Sequence, residues 1–211
     1  MWSCGWGVFG QLGHGDTADK LVLMIVGVEG FRGAQIVMLA AGGAHGVALG
    51  AAGREWTWGY GKDGQLGHNN EENRLVPTLL AGEALGEAAA VLVAAGRLEL
   101  WVWGDGNLGQ LGLGDKANRL SPTLVEAEAA FWGSPVLTEV CSHFHTLAVT
   151  KDVALWTFGM GDHGALGHND YITRLLPGRI EAQHFGDVNI VSVACGVWHS
   201  AAVTEEGILQ W

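Results

Sequence analysis

The chain has 211 residues, 48% of them hydrophobic, enough for a buried core and too many for a disordered polymer. A formal net charge of -11, with no basic run, argues against direct nucleic-acid binding, which draws its free energy from clustered Lys and Arg. Cys4, Cys141 and Cys195 are too scattered for a disulfide framework, and the longest apolar run, Ala88 to Gly96, is short of the ~20 residues that span a bilayer. These features predict an intracellular protein, cytoplasmic or nuclear, with no membrane partner.

Taken in order, the chain begins at Met1-Trp2-Ser3-Cys4 and runs straight into Gly5-Trp6-Gly7-Val8-Phe9-Gly10-Gln11-Leu12-Gly13-His14, so it is expected to start inside a repeat unit. A polar turn with Asp16 and Asp19 leads to Leu21-Val22-Leu23, and Gln35 to Gly42 alternates well enough for a buried strand. A turn follows at Gly43-Ala44-His45-Gly46, then a short strand at Val47-Ala48-Leu49 and a hairpin turn from Gly50 to Gly53. Glu55-Trp56-Thr57-Trp58 then enters the same motif again, as Gly59 to His68.

Third and fourth copies run from Gly104 to Leu113 and from Gly159 to His168, so the motif starts are 54, 45 and 55 residues apart. The register between them is tight: Pro77, Pro122 and Pro177 each stand 13 residues after the third glycine of their motif (Gly64, Gly109, Gly164), and Leu23 holds that place after Gly10. The second unit is shortened at residues 80–97, where an Ala-rich stretch replaces the expected turn and one strand is either absent or a degenerate helix. The last unit supplies Ile190 to Gly196, His199 to Thr204 and Ile208 to Trp211, where a further motif is expected.

One unit is therefore three or four strands, and the whole of 1–211 is expected to be a single repeat domain. Trp56 and Trp58, Trp101 and Trp103, and Trp156 and Phe158 are spaced by two, which places each pair on one face of a strand to cement small sheets together. The glycines that follow predict a bulge and a tight turn, with Leu12, Leu66, Leu111 and Leu166 filling the space beneath. The pattern predicts an all-β β-propeller, as a four-bladed or partial ring; a solenoid of stacked sheets is the competing architecture.

The repeated tryptophan, the Gly-x-Gly-x-x-Gly-Gln-Leu-Gly-His motif, the downstream proline and Ala194-Cys195-Gly196-Val197-Trp198-His199-Ser200 resemble the repeat of the regulator of chromosome condensation family. The resemblance covers nearly the whole chain except residues 80–97. It implies seven-bladed propellers, whereas this chain carries four motifs.

Each motif also matches the Gly-x-Gly-x-x-Gly fingerprint of dinucleotide sites, but Gln-Leu-Gly and a polar turn follow it rather than a helix, so no cofactor is expected. His14, His68 and His168 share one repeat position with Leu113, which points to a packing or turn role, and the chain lacks Cys or carboxylate partners at zinc spacing. His45, His145 and His199 are expected to bond backbone within their own turns. Ser134 precedes a proline and is no nucleophile elbow, so no catalytic residue is assigned.

Three functions then stand open: a protein-binding scaffold, guanine nucleotide exchange on a Ran-like small GTPase, and UV-B sensing by clustered tryptophans. Exchange, as the resemblance implies it, depends on a full ring and an inserted hairpin, and no unit here carries an extra hairpin. The sensing tryptophans implied by the resemblance would stand where this chain has Gly43, His143 and Val197. The scaffold is favoured, with a protein partner, a small GTPase among the candidates, facing the positions where the copies differ. Those are Lys62 and Asp63, Asn107 and Leu108, Asp162 and His163, and the turn residues Ala44, Phe144 and Trp198.

Overall fold

The computed structural model describes residues 1–27, 29–80, 100–181, 183, 188–207 and 209–210. In chain order these form β1 (Trp2–Gly5), β2 (Lys20–Ile25), β3 (Ile36–Ala41), β4 (His45–Gly50), β5 (Glu55–Gly59), β6 (Arg74–Leu79), β7 (Leu100–Gly104) and β8 (Arg119–Val125). There follow a one-turn helix α1 (Ala127–Ala130), β9 (Val136–Cys141), β10 (His145–Thr150), β11 (Leu155–Gly159), β12 (Arg174–Arg179), β13 (Ile190–Cys195), β14 (Ser200–Thr204) and β15 (Leu209–Gln210). The Ala-rich stretch of the shortened second unit lies almost wholly outside the described residues, as does Trp211. Among the described residues no helix is long and apolar enough to cross a membrane.

The chain packs as two compact units, one of Met1–Arg97 with Asn118–Thr123 and the other of Leu98–Ala117 with Leu124–Trp211. Each contains one complete four-stranded antiparallel meander, β3-β4-β5-β6 in the first and β9-β10-β11-β12 in the second. Unit 1 also holds the two-stranded β1-β2 sheet, and unit 2 the three-stranded β13-β14-β15 sheet. These are the blades of a propeller, four-stranded in some repeats and shorter in others.

The third strand of each full sheet is buried along its whole length, which explains why it is the most aromatic. In unit 1 Trp56 and Trp58 both meet Phe31 edge-on, at 5.8 and 6.0 Å, so the two rings do share a face. In unit 2 Phe131 meets Trp156 at 5.5 Å. Both phenylalanines open a Phe-x-Gly turn, Phe31-Arg32-Gly33 and Phe131-Trp132-Gly133, whose middle residue is left-handed (φ 51 and 53). That pair is a second internal repeat, and it is absent from the sequence reading.

The bulge predicted at the motif glycine is present. Register slips between Ser3 and Gly5, Thr57 and Gly59, and Thr157 and Gly159. Gly59 and Gly159 both have φ of 104, and a Cβ on either would lie 2.5 Å from a carbonyl oxygen of the preceding turn, Ala44 or Phe144. Only glycine fits there. Beneath the turn, Leu12, Leu66, Leu111 and Leu166 are all buried.

Candidate functional site

The site forms at the end of unit 2 where the β9–β10 turn meets the motif loop. The turn, Ser142 to His145, is closed by the Ser142 N–H donating to the His145 carbonyl at 2.9 Å. Ser142 Oγ accepts from the N–H groups of Phe144 and His145 at 3.3 and 3.2 Å, which fixes the backbone of the turn. The Met160 N–H then donates to the Phe144 carbonyl at 2.9 Å, tying turn to motif.

His145 is buried behind this turn. Ser200 Oγ spends its proton on the Ala165 carbonyl at 2.7 Å, so the 2.9 Å contact between His145 Nε2 and Ser200 Oγ makes Nε2 the donor. Nδ1 is then the acceptor facing Ser142 Oγ at 2.9 Å. The ring is held neutral, and burial, aided by His199, pushes its pKa below the ordinary value. The expected backbone bonding is therefore corrected at His145: its ring bonds two serine hydroxyls, because the neighbouring strand β14 places Ser200 within reach.

On the outer side of the turn the structure brings together three of the predicted residues, Phe144, His163 and Trp198. The Phe144 and Trp198 rings lie 4.7 Å apart with a 38° tilt, His163 meets Trp198 edge-on at 5.4 Å, and His143 meets Phe144 at 5.1 Å. Trp198 remains 47% exposed. His163 sits at φ 62 inside the short 3-10 turn Asp162–Gly164, whereas Phe9, Asp63 and Leu108 at the same motif position are not left-handed. A non-glycine residue there costs about 1 kcal/mol or more, and such strain gathers at functional positions.

The other predicted residues sit elsewhere. Lys62 is exposed and Asp63 half-buried in unit 1, where the Asp63 N–H donates to Gln65 Oε1 at 2.9 Å. Asn107 is exposed on its own loop, its N–H on Asp105 Oδ1 at 3.0 Å. Ala44 and Leu108 add no ring. Unit 1 instead carries a cluster the sequence reading passed over, Trp6, Phe9 and Tyr60, with centroids 5.2 and 4.9 Å apart. The signal was available: Phe9 and His163 share one motif position, and each lies against an aromatic ring of another loop.

The repeated histidines do structural work. Ser3, Thr57 and Thr157 each donate to the carbonyl of the motif leucine (2.6, 2.7 and 2.8 Å) and accept from Nε2 of His14, His68 or His168 (2.9, 3.0 and 3.0 Å). In the third copy both partners change at once, to Val102 and Leu113, which pack in one apolar cluster. Among the described residues no group of three or more His, Cys, Asp or Glu could hold a metal ion.

The comparisons with known proteins agree with this geometry. The model of the regulator of chromosome condensation (RCC1) repeat matches four segments, residues 1–49, 52–97, 99–149 and 154–203. The chain is 33% identical over 216 residues to the ultraviolet-B receptor UVR8 of Arabidopsis thaliana, covering 99% of this chain and 48% of UVR8. It is 34% identical over 222 residues to the mitochondrial RCC1 domain-containing protein RUG3 of the same plant, covering 100% of this chain and 49% of RUG3. Against the human E3 ubiquitin-protein ligase HERC2 it is 33% identical over 213 residues, 96% of this chain but 4% of that protein. It thus spans about half the length of UVR8 and RUG3.

Among solved structures, human WBSCR16 superposes with a TM-score of 0.83 at 21% identity, covering 99% of this chain and 55% of that one. Prp20p from Saccharomyces cerevisiae, described with its binding properties to Gsp1p and histones, superposes with a TM-score of 0.80 at 21% identity, covering 99% and 52%. Repeat register, bulged third strands and the four matched segments together place this chain in the regulator of chromosome condensation (RCC1) repeat family.

Proposed function

We propose that this chain is a protein-binding scaffold whose contact surface includes the aromatic cluster of Phe144, His163 and Trp198. The single observation behind this reading is the convergence of three rings from separate loops on one exposed spot, with the central Trp198 47% exposed. Exposed tryptophan beside polar groups is the composition of interface anchors. The flanking Asp162 and the net charge of -11 favour a partner presenting basic and apolar side chains together. The reported binding of Prp20p to Gsp1p and histones supports a protein partner for this fold.

Replacing Trp198 or Phe144 with alanine is expected to weaken binding of a defined partner by about 2 kcal/mol, roughly thirtyfold, with little loss of stability. Titration calorimetry alongside thermal unfolding checks this. Unfolding of both variants at room temperature would assign the rings to the core and sink the proposal. Nucleotide exchange is measured separately, by release of a fluorescent guanine nucleotide from a Ran-like small GTPase, and the scaffold reading expects a flat trace.

A further inference from the structure

The Phe-x-Gly turn occurs in both full sheets, but its surroundings differ between them. Its middle residue is Arg32 in unit 1 and Trp132 in unit 2, and three residues after the phenylalanine stand Ala34 and Ser134. In the facing hairpin Ala51-Ala52 corresponds to Lys151-Asp152. On the fourth strand Leu79 stands opposite Trp56, and Arg179 stands opposite Trp156. Where unit 1 is small or apolar, unit 2 is therefore polar or charged, and where unit 1 has arginine, unit 2 has a large ring.

The structure brings these changed positions together. Trp156 Nε1 donates to Thr150 Oγ1 at 3.1 Å, which pins that indole, and the Trp132 ring meets it edge-on at 5.0 Å. In unit 1 Gly50 replaces Thr150, and Trp56 Nε1 has no partner among the described residues. The Arg179 guanidinium lies over Trp132, 5.2 Å from the ring centroid. Ser134 Oγ donates to Asp152 Oδ1 at 2.6 Å, and Asp152 Oδ2 stands 4.0 Å from Arg179 Nη2, too far for a hydrogen bond. Stacking thus holds the guanidinium, and its N–H fork has no side-chain acceptor in range among the described residues. Trp132 is still 69% exposed, and the turn keeps it left-handed at φ 53, a conformation that bulky residues avoid.

We propose that Trp132 and Arg179 form a second binding surface, which takes a peptide segment of a partner protein that carries a carboxylate beside a bulky apolar side chain. Tryptophan and arginine are the residues in which binding energy concentrates at protein interfaces. A planar guanidinium already oriented by a ring matches a carboxylate through two parallel N–H bonds, and the open part of the indole takes the apolar neighbour. Lys151, exposed beside Asp152, adds charge of the same sign as Arg179. Asp152, tied to Ser134, repels a second carboxylate, so the surface fits a single acidic residue rather than an acidic run. Strand β9 leads from this turn to the turn of Phe144, so the two surfaces lie at opposite ends of one strand, roughly 20 Å apart. This second surface does not rest on the first.

The test uses the full chain as bait for random heptapeptides displayed on phage. Selected sequences should share one acidic residue within two positions of Leu, Phe or Trp. A fluorescein-labelled peptide of that consensus is then titrated by anisotropy. Trp132→Arg and Arg179→Leu install the residues that unit 1 carries at these positions, so both should fold, and each should weaken binding about tenfold or more. Replacing the acidic residue of the peptide by its amide should do the same, while Trp198→Ala should leave binding unchanged, which separates this surface from the first. The proposal is overturned if no peptide is selected, if the consensus is basic or lacks an acidic residue, or if either variant binds as tightly as wild type. Unfolding of both variants, read by thermal melting, would make the cluster a brace of the sheet and overturn it as well.

Discussion

His68 and Thr57 form a closed polar pair. The Thr57 proton goes to the Leu66 carbonyl, the His68 Nε2–H comes to Thr57, and burial with nearby Arg74 lowers the His68 pKa. Thr57→Val should therefore cost about 1–3 kcal/mol, since it leaves a carbonyl and an imidazole N–H unsatisfied. The double variant Thr57→Val/His68→Leu, which copies Val102 and Leu113 of the third motif, should recover much of that loss. Urea unfolding of the four proteins in a double-mutant cycle measures the recovery, and additive losses would contradict the pairing.

Glu55 is the residue most out of place. It stands where the other repeats have Leu100 and Leu155, it is buried, and its carboxyl oxygens find no partner among the described residues. Desolvation raises its pKa from 4.5 to about 7. A carboxyl whose folded pKa is raised binds its proton more tightly in the native state, so its stabilisation is full below pH 4.5 and is lost as pH climbs through about 7. Glu55→Leu should flatten that slope and raise stability at pH 8 by up to about 3 kcal/mol. Thermal unfolding between pH 4.5 and 8 reads both effects.

At the scale of the element, the third strand and its bulge carry most of what was legible. Tryptophan spacing of two, the glycine after it and the leucine beneath it are local features, and local sterics decide them. A compensation between strands was not legible. The carbonyls of Gln11, Gln110 and Ala165 all receive a side-chain proton, but from different donors: Trp58 Nε1 at 2.9 Å, Thr146 Oγ1 at 2.9 Å and Ser200 Oγ at 2.7 Å. Where the donor is Trp58, its indole fills the space over Gly46; where it is Thr146, the aromatic position holds Phe158, which has no N–H to give.

Gly46→Thr alone should thus be destabilising, because a Cβ there would lie 2.5 Å from the Trp58 ring. Combining it with Trp58→Phe should restore most of the stability, because the pair then copies Thr146 and Phe158. Comparison of the thermal midpoints of the three variants checks this, and a double variant no better than Gly46→Thr would refute the exchange of donors.

For the whole molecule, the repeats define a chain of sheets that each depend on a neighbour for one face. Leu21 and Gly164 mark the two faces that no described residue covers.

The nine positions singled out as partner-facing were chosen only because the copies differ there, and difference does not say which loops meet. Phe144, His163 and Trp198 lie on three loops separated by tens of residues, and the antiparallel pairing of β9-β10 and β13-β14 brings their turns side by side. The sequence alone determined the repeat, its register and the positions that only glycine or a large ring can hold, because these follow from backbone sterics and a period of two. Tertiary structure decided which hydroxyl satisfies which carbonyl, that His145 is a neutral link between two serines, and that three rings converge on one surface. Those are contacts between distant segments, and no local propensity encodes the distance between them.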